Sequence, residues 1–225
     1  MKKTLLLSAV AVIALASAGI AADLPKKKKT EPAAAAPVVS AVPTEKPVQV
    51  ASADTTIALG FGMESNDGVY DTANKTAYKV AIERNIGGGA FVGGNFQTSQ
   101  TQPNNGAIKQ NIEVIGGYKL PMGPVSVKGS LGVGERYTDG NNFSYYVARA
   151  GADYKLTDSI TLNAAQYRYR NAFDTANNYQ SHQIGTGMTF NYAQNQAIYA
   201  NVYRNLDSGF NVTDNGVEMG LKVSF

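Results

Sequence analysis

The 225-residue chain predicts an all-β fold: a closed antiparallel transmembrane β-barrel of ten strands, preceded by a disordered tail. Three observations carry this. From Asp54 onward, apolar and polar residues alternate in segments of about ten residues separated by turn chemistry, as membrane-crossing strands require. Charged residues fall on one alternate face in segment after segment, and a closed soluble core could not hold so many ions cheaply. Beyond the first residues nothing approaches the ~20 apolar residues of a membrane helix, so a chain that crosses lipid must do so as a barrel. A soluble sandwich or lipocalin-like barrel also alternates, but turning the apolar row toward lipid and the charges inward removes the conflict.

The chain divides at 1–21, 22–53 and 54–225. The start, "MKKTLLLSAVAVIALASAGIAADLP", has two lysines, an apolar run from Leu5 to Leu15 and small residues around Ala18 and Ala21. It reads as a secretory signal peptide. Residues 22–53 are dominated by Pro, Ala, Lys and Val, with prolines at 25, 32, 37, 43 and 47. This composition favours an extended spacer that reaches up to ~100 Å at ~3.1 Å per residue. Lys26, Lys27, Lys28, Lys29 and Lys46 against Asp23, Glu31 and Glu45 give this tail a net charge of +2. The remainder has 13 Lys and Arg against 14 Asp and Glu, so the basic pI does not describe the folded part, and a nucleic-acid partner is not expected. There is no cysteine, although export would permit disulfides, and stability must come from closure of the sheet.

The strands follow in order. "TIALGFGME" sets Ile57, Leu59, Phe61 and Met63 outward and Ala58, Gly60 and Gly62 inward. "AYKVAIER" sets Tyr78, Val80 and Ile82 against Lys79, Ala81 and Glu83. "AFVGGNFQT" is weaker, with Val92, Gly94 and Phe96 outward and Asn95 and Gln97 inward. "IKQNIEVIGGYKL" opposes Ile112, Val114, Gly116 and Tyr118 to Lys109, Asn111 and Glu113. "VSVKGSLGVGERY" is the cleanest, with Val125, Val127, Leu131 and Val133 outward and Ser126, Lys128, Ser130 and Arg136 inward. "YYVARAGADYKL" turns Tyr146, Ala148, Ala150, Ala152 and Tyr154 away from Arg149 and Asp153. "AAQYRYRN" opposes Ala165, Tyr167 and Tyr169 to Gln166, Arg168 and Arg170. "HQIGTGMTFNY" sets Ile184, Thr186, Met188 and Phe190 outward. "QAIYANVYRN" is ambiguous in phase, and Ile198, Ala200 and Val202 are assigned outward. "VEMGLKVSF" ends the chain with Val217, Met219, Leu221, Val223 and Phe225 outward and Glu218 and Lys222 inward.

The links alternate. "NIGGG", "LPMGP", "LTDS" and "AQNQ" are short; "SNDGVYDTANK", "TQPNNGA", "TDGNN", "NAFDTANNY" and "LDSGFNVTDN" are longer or carry Asp, Asn and Gly. Short periplasmic turns and longer external loops in this order suit the outer membrane, and ten strands leave tail and C-terminus in the periplasm. Merging weak strands would give eight, and that alternative stays open.

With its leader, tail and strand pattern, the chain resembles the outer-membrane β-barrel proteins of Gram-negative bacteria, and "AADLP" is similar to the mature start of small porin-family barrels in alphaproteobacteria. The resemblance implies outer-membrane lipid and lipopolysaccharide as surroundings. It implies that Val217, Met219, Leu221, Val223 and Phe225 form the signal read by the barrel-assembly machinery. It also implies that Ala22 and Asp23, once the leader is cut after Ala21, could be joined to peptidoglycan. The neighbouring lysine run suits anionic headgroups or the cell wall through attraction that salt screens.

The lumen is therefore expected to hold Lys79, Lys109, Lys128, Arg136, Arg149, Arg168, Arg170 and Lys222 against Glu83, Glu113, Asp153 and Glu218. Opposite charges four apart on one strand are about 13 Å apart at ~3.3 Å per residue, so partners are expected from neighbouring strands. Two readings stand side by side: a plug of ion pairs, or a narrow porin-like channel whose surplus of Arg and Lys favours small anionic solutes. A structural barrel tethering the membrane to peptidoglycan through its tail is the competing function. No enzyme is expected. The single histidine, His182, reads as a rim residue, and Ser181 beside it points to the opposite face of a strand. No metal-ligand cluster, phosphate loop or nucleotide fingerprint occurs, so no cofactor is expected; "GGG" at 87–89 reads as a turn. Tyr78, Tyr118, Tyr146, Tyr154, Tyr167 and Tyr169 suit interfacial girdles. Asp67, Asp71, Asp139, Asp174, Asp207 and Asp214 read as solvated loop residues, with divalent-ion bridging to lipopolysaccharide as the second option.

Overall fold

The computed structural model describes residues 54–65, 75–101, 106 and 108–225. The leader, the tail with Ala22, Asp23, Lys26, Lys27, Lys28 and Lys29, and the loop residues Asp67 and Asp71 lie outside the described residues. Ten antiparallel strands close on themselves: β1 (Thr55–Ser65), β2 (Lys75–Gly87), β3 (Ala90–Thr101), β4 (Ile108–Met122), β5 (Val125–Thr138), β6 (Asn141–Lys155), β7 (Ile160–Ala172), β8 (Gln180–Ala193), β9 (Gln196–Leu206) and β10 (Val212–Ser224). Each pairs with its chain neighbours, and β10 returns to β1. The eight-strand alternative is set aside. Among the described residues no helix is long and apolar enough to cross a membrane.

Alternation decides the faces, because a one-residue slip would turn every side chain over. Leu59, Val114, Leu131, Val133, Ile184, Met188, Ile198, Val202, Met219 and Leu221 are exposed and form an apolar belt around the wall. Such a belt is stable only against lipid. Exposed Tyr78, Tyr146, Tyr167, Phe173 and Phe210 border it toward one end, and Tyr118, Tyr154, Tyr192 and Phe225 toward the other. Rings there lie in hydrocarbon while polar tips reach water. The ambiguous β9 has Ile198 outward because Ala197 and Tyr199 are buried inside.

At one end the links are tight. Gly88 and Gly89 form a two-residue turn at φ +61° and +90°, a conformation that matches hairpin twist and disfavours other residues. Lys155 and Asp158 pair across the β6–β7 turn at 2.7 Å. The start of β1 and the residue after β10 meet at this turn end, where Phe225 N–H donates to Thr55 O at 2.9 Å and Thr55 N–H to Phe225 O at 3.0 Å. At the opposite, loop end, Asp139–Gly140 is also a tight turn, with Gly140 at φ +96°. Asp174 caps a short 3-10 turn by accepting from Ala176 N.

One register shift matters for the interior. Between Asn163 and Gln166 on β7 the pairing with β8 skips a step. The bulge leaves both side chains facing the lumen, where Asn163 Nδ2 and Gln166 Nε2 donate to Asn201 Oδ1 at 2.9 and 3.4 Å. The interior also holds a packed cluster on the β3–β6 wall: Phe91, Ile115, Tyr145 and Val147, flanked by Phe143 and Tyr179.

Candidate functional site in the barrel lumen

The twelve inward charges expected from the sequence line two chambers in the interior formed by the described residues. The turn-side chamber, about 530 Å³, is walled by Lys79, Lys119, Lys128, Arg149, Arg168, Arg170 and Lys222 against Glu83, Glu113, Asp153 and Glu218. The loop-side chamber, about 240 Å³, adds Lys75, Lys109 and Arg136 against Glu64, Asp207 and Asp214. Gln97, Asn111, Arg168 and Arg170 belong to both walls and mark the level where the chambers meet.

Glu113 on β4 organises that level. It is 1% exposed. Its Oε1 accepts from Tyr145 Oη at 2.9 Å and Arg170 Nε at 2.7 Å, and its Oε2 accepts from Arg149 Nη2. Three donors from β6 and β7 therefore converge on one carboxylate, in surroundings where charge-assisted hydrogen bonds are strong. Elsewhere Lys79 pairs with Glu218 at 3.3 Å, Lys128 pairs with Glu83, and Lys75 pairs with Asp214. None of these lumen pairs joins adjacent strands, which corrects the expectation of neighbouring partners. β2 reaches β10 across β1, β4 reaches β6 and β7, and β5 reaches β2. Two residues on adjacent strands are close at the backbone, but long side chains project inward over whatever lies between.

What lies between is glycine. Gly134 on β5 separates Glu113 from Tyr145 in register, and a Cβ there would stand 2.7 Å from Tyr145 Cζ. Tyr203 on β9 lies over Gly216 and donates to Glu64 Oε1 at 3.0 Å. Tyr199 crosses Gly220, where a Cβ would meet its ring at 2.8 Å, and donates to Glu218 Oε1 at 2.9 Å. Each aromatic thus covers a glycine and delivers its hydroxyl to a carboxylate. The sequence reading assigned tyrosines to the outer girdles and missed these three. Their parity with Val147, Ala197 and Asn201 was the available signal. The same parity extends to Glu64, Lys75, Lys119 and Asp214, lumen residues that the reading did not name as such. Asp214 in particular is no solvated loop residue: β10 begins at Val212, and Asp214 is buried at 9% exposure.

Not every polar group inside is matched. Lys222 has Thr189 Oγ1 at 3.2 Å and the Tyr199 ring at 5.0 Å. Arg136 lies 4.7 Å over the Tyr179 ring. Burial alone would raise the Tyr179 phenol, yet the guanidiniums of Arg170 and Arg136 bring it down to about 8. Asn95 Nδ2, Asn111 Oδ1 and Arg168 Nε are buried without a hydrogen-bond partner.

His182 stands at the loop end of β8, near the rim where the sequence places it, but it is buried on the outer wall: Tyr167 Oη lies 2.7 Å from Nδ1, Tyr169 packs at 5.1 Å, and Phe210 stacks on it at 4.4 Å. Phe210 has φ 62°, in a loop drawn together by Asp207, whose carboxylate accepts from Asn211 N and Gly209 N at 2.9 and 2.8 Å. The Asn211 backbone and side chain hold this carboxyl below its ordinary range. Ser181 faces the lumen and donates to Tyr179 Oη at 3.4 Å, so Ser181 and His182 make no nucleophile and base pair. No group of three or more His, Cys, Asp or Glu suited to a metal occurs among the described residues.

A family model described as the outer membrane protein beta-barrel domain matches residues 7–192. The chain belongs to the outer-membrane β-barrel family. No curated protein matches this outer-membrane barrel. Among solved structures it is similar to the NanC porin (11% identity, 75% of this chain and 100% of that one, TM-score 0.48). It is also similar to the translocator domain of autotransporter NalP from Neisseria meningitidis (9%, 76% and 88%, 0.47). A KdgM porin in complex with disordered oligogalacturonate is similar at 14% identity (76% and 99%, 0.42).

Proposed function

We propose that this outer-membrane barrel is a narrow porin-like pore that passes small solutes and favours anions. The observation that supports the reading most is the lumen wall, where ten cations face seven carboxylates around two stacked chambers. A surplus of fixed positive charge in a confined aqueous path lowers the barrier for anions and raises it for cations. The tight-turn end with both sheet termini is taken as periplasmic, and the loop end as external. The charged layer around Glu113 is then the selective constriction, with Lys109 and Arg136 at its external approach. Reversal potentials of the refolded barrel across a planar bilayer, under a salt gradient, test this. Reproducible steps with anion preference, reduced by neutralising Arg168 together with Lys109, are expected. An electrically silent folded barrel would make the inward charges a plug.

A second reading is that the barrel tethers the membrane to the cell wall through Ala22, Asp23 and Lys26 to Lys29. Its support is that Asp54, the first described residue, stands at the turn end proposed to be periplasmic, with its carbonyl accepting from Asn85 N at 2.7 Å. Complete release of the mature protein by hot detergent, without wall digestion, would sink this reading. Lipopolysaccharide around the aromatic bands, and the assembly machinery acting on the row from Val217 to Phe225, complete the proposed set of partners.

A further inference from the structure

We infer that the lumen contains a seat for one oxyanion group, the phosphate or carboxylate of a small solute, at Arg168 where the two chambers meet; the inference deepens the porin reading and rests on it for its biological sense. Three observations converge. Buried polar groups almost always find partners, yet Asn95 Nδ2, Asn111 Oδ1 and Arg168 Nε have none, and all three side chains line the 530 Å³ chamber. Arg168 and Asn111 line the other chamber too, so a solute arriving from either side meets them.

Charge points the same way. Arg149, Arg168 and Arg170 share the level with Glu113, and that carboxylate is already taken by Arg149, Arg170 and Tyr145. Three guanidiniums against one committed carboxylate leave the layer short of negative charge, in a confined space where Coulomb forces are less damped than in bulk water. An anion there would relieve repulsion and fill the empty donor. The donor type selects the anion: a guanidinium is a planar fork matched to two oxygens of a carboxylate or phosphate. Asn95 offers an amide N–H, and Asn111 offers another once its amide is turned, because its O and N are interchangeable in shape. The chamber is large enough for a sugar-sized solute carrying such a group.

The test is calorimetric titration of the folded barrel in detergent with inorganic phosphate, and in a second arm with a hexose phosphate. One saturable site is expected in the unmodified protein. Arg168→Gln should weaken it by about tenfold or more, as loss of a charge-assisted hydrogen bond implies. Arg168→Lys should weaken it less, because charge remains and the fork is lost. Lys155→Gln, at the β6–β7 turn outside both chambers, should leave it within about twofold, because solvent and salt screen a surface charge. Tighter hexose phosphate identifies the ester of a larger solute as occupant; tighter inorganic phosphate identifies the free ion. Absence of saturable binding, or equal binding by the unmodified protein and Arg168→Gln, overturns the seat and leaves water as the partner of these atoms. Folding is checked by heat-modifiable gel mobility, and if Arg168→Gln does not fold, Arg168→Lys and Asn95→Ala must each weaken binding or the inference fails. Because no current is measured, a silent barrel that binds phosphate keeps the seat and loses the pore, whereas a conducting barrel that binds none loses the seat alone.

Discussion

Replacing Glu113 by Gln keeps the shape of the side chain and removes the charge on which Arg149, Arg170 and Tyr145 converge. Breaking a buried ion pair from one side typically costs ~3–5 kcal/mol, because the partner stays buried without compensation. Arg170 is 6% exposed in its side chain and has little access to water, whereas Arg149 is 24% exposed and can recover some hydration from the chamber. The glutamine carbonyl also still accepts one hydrogen bond. The expected loss therefore sits near the lower end, ~3 kcal/mol. Tyr145→Phe removes only the 2.9 Å hydrogen bond, and should cost ~1.5 kcal/mol as one bond to a charged group. Urea unfolding in lipid vesicles, followed by tyrosine fluorescence in this tryptophan-free chain and by gel mobility, measures both. A Glu113→Gln loss below ~1 kcal/mol would refute the claim that this carboxylate organises the constriction, since surface pairs alone reach that size.

Further outcomes follow from the same geometry. Gly216→Ala places a methyl group against the Tyr203 ring and should destabilise the barrel, while adding Tyr203→Ala should restore part of the loss; a coupling of ~1 kcal/mol in the double-mutant cycle checks it. Tyr179 should ionise near pH 8, below its ordinary value of 10.0, visible as one early tyrosine step in ultraviolet absorbance that moves upward in Arg136→Gln. Since the folded value is the lower one, the deprotonated form favours the folded state: this stabilisation is complete above about pH 10 and is lost as pH falls through about 8. Phe210→Ala should uncover His182, read as faster acylation of its imidazole by diethyl pyrocarbonate without a change in gel mobility.

Sequence periodicity made the faces legible because lipid and lumen differ so strongly in polarity that every strand must choose. Only β9, whose composition is balanced, stayed ambiguous in phase, and the burial of Ala197 and Tyr199 decides it with Ile198 and Val202 outward. Pairing across the interior was not legible. Period-2 reading states that Glu113 and Arg170 point inward, but not how far apart β4 and β7 stand or that a third strand's tyrosine joins them. That distance depends on strand number, tilt and curvature. Inward tyrosines were hidden for a related reason: Tyr145, Tyr199 and Tyr203 are aromatic enough to suggest a lipid interface, and only the glycine beneath Tyr145, Tyr199 or Tyr203 explains how a ring fits inside. Asp214 was misplaced because Asp, Asn and Gly signal turns, whereas a strand end facing the barrel interior uses the same residues as ion-pair partners.

The seam between β1 and β10 joins Thr56 to Ser224 through their hydroxyls at 2.9 Å, 168 residues apart in the chain. Every other sheet pairing joins strands consecutive in sequence, but this one waits for β10. Closing so long a loop before any contact repays it makes for slow folding. Until then β1 and β10 are two bare edges, each a template for another chain. A chain without the last residues of β10 would therefore be worse than merely less stable, since it would keep an open, adhesive sheet edge, and removal of Phe225, which bonds Thr55 across the seam, should show up as aggregation during refolding.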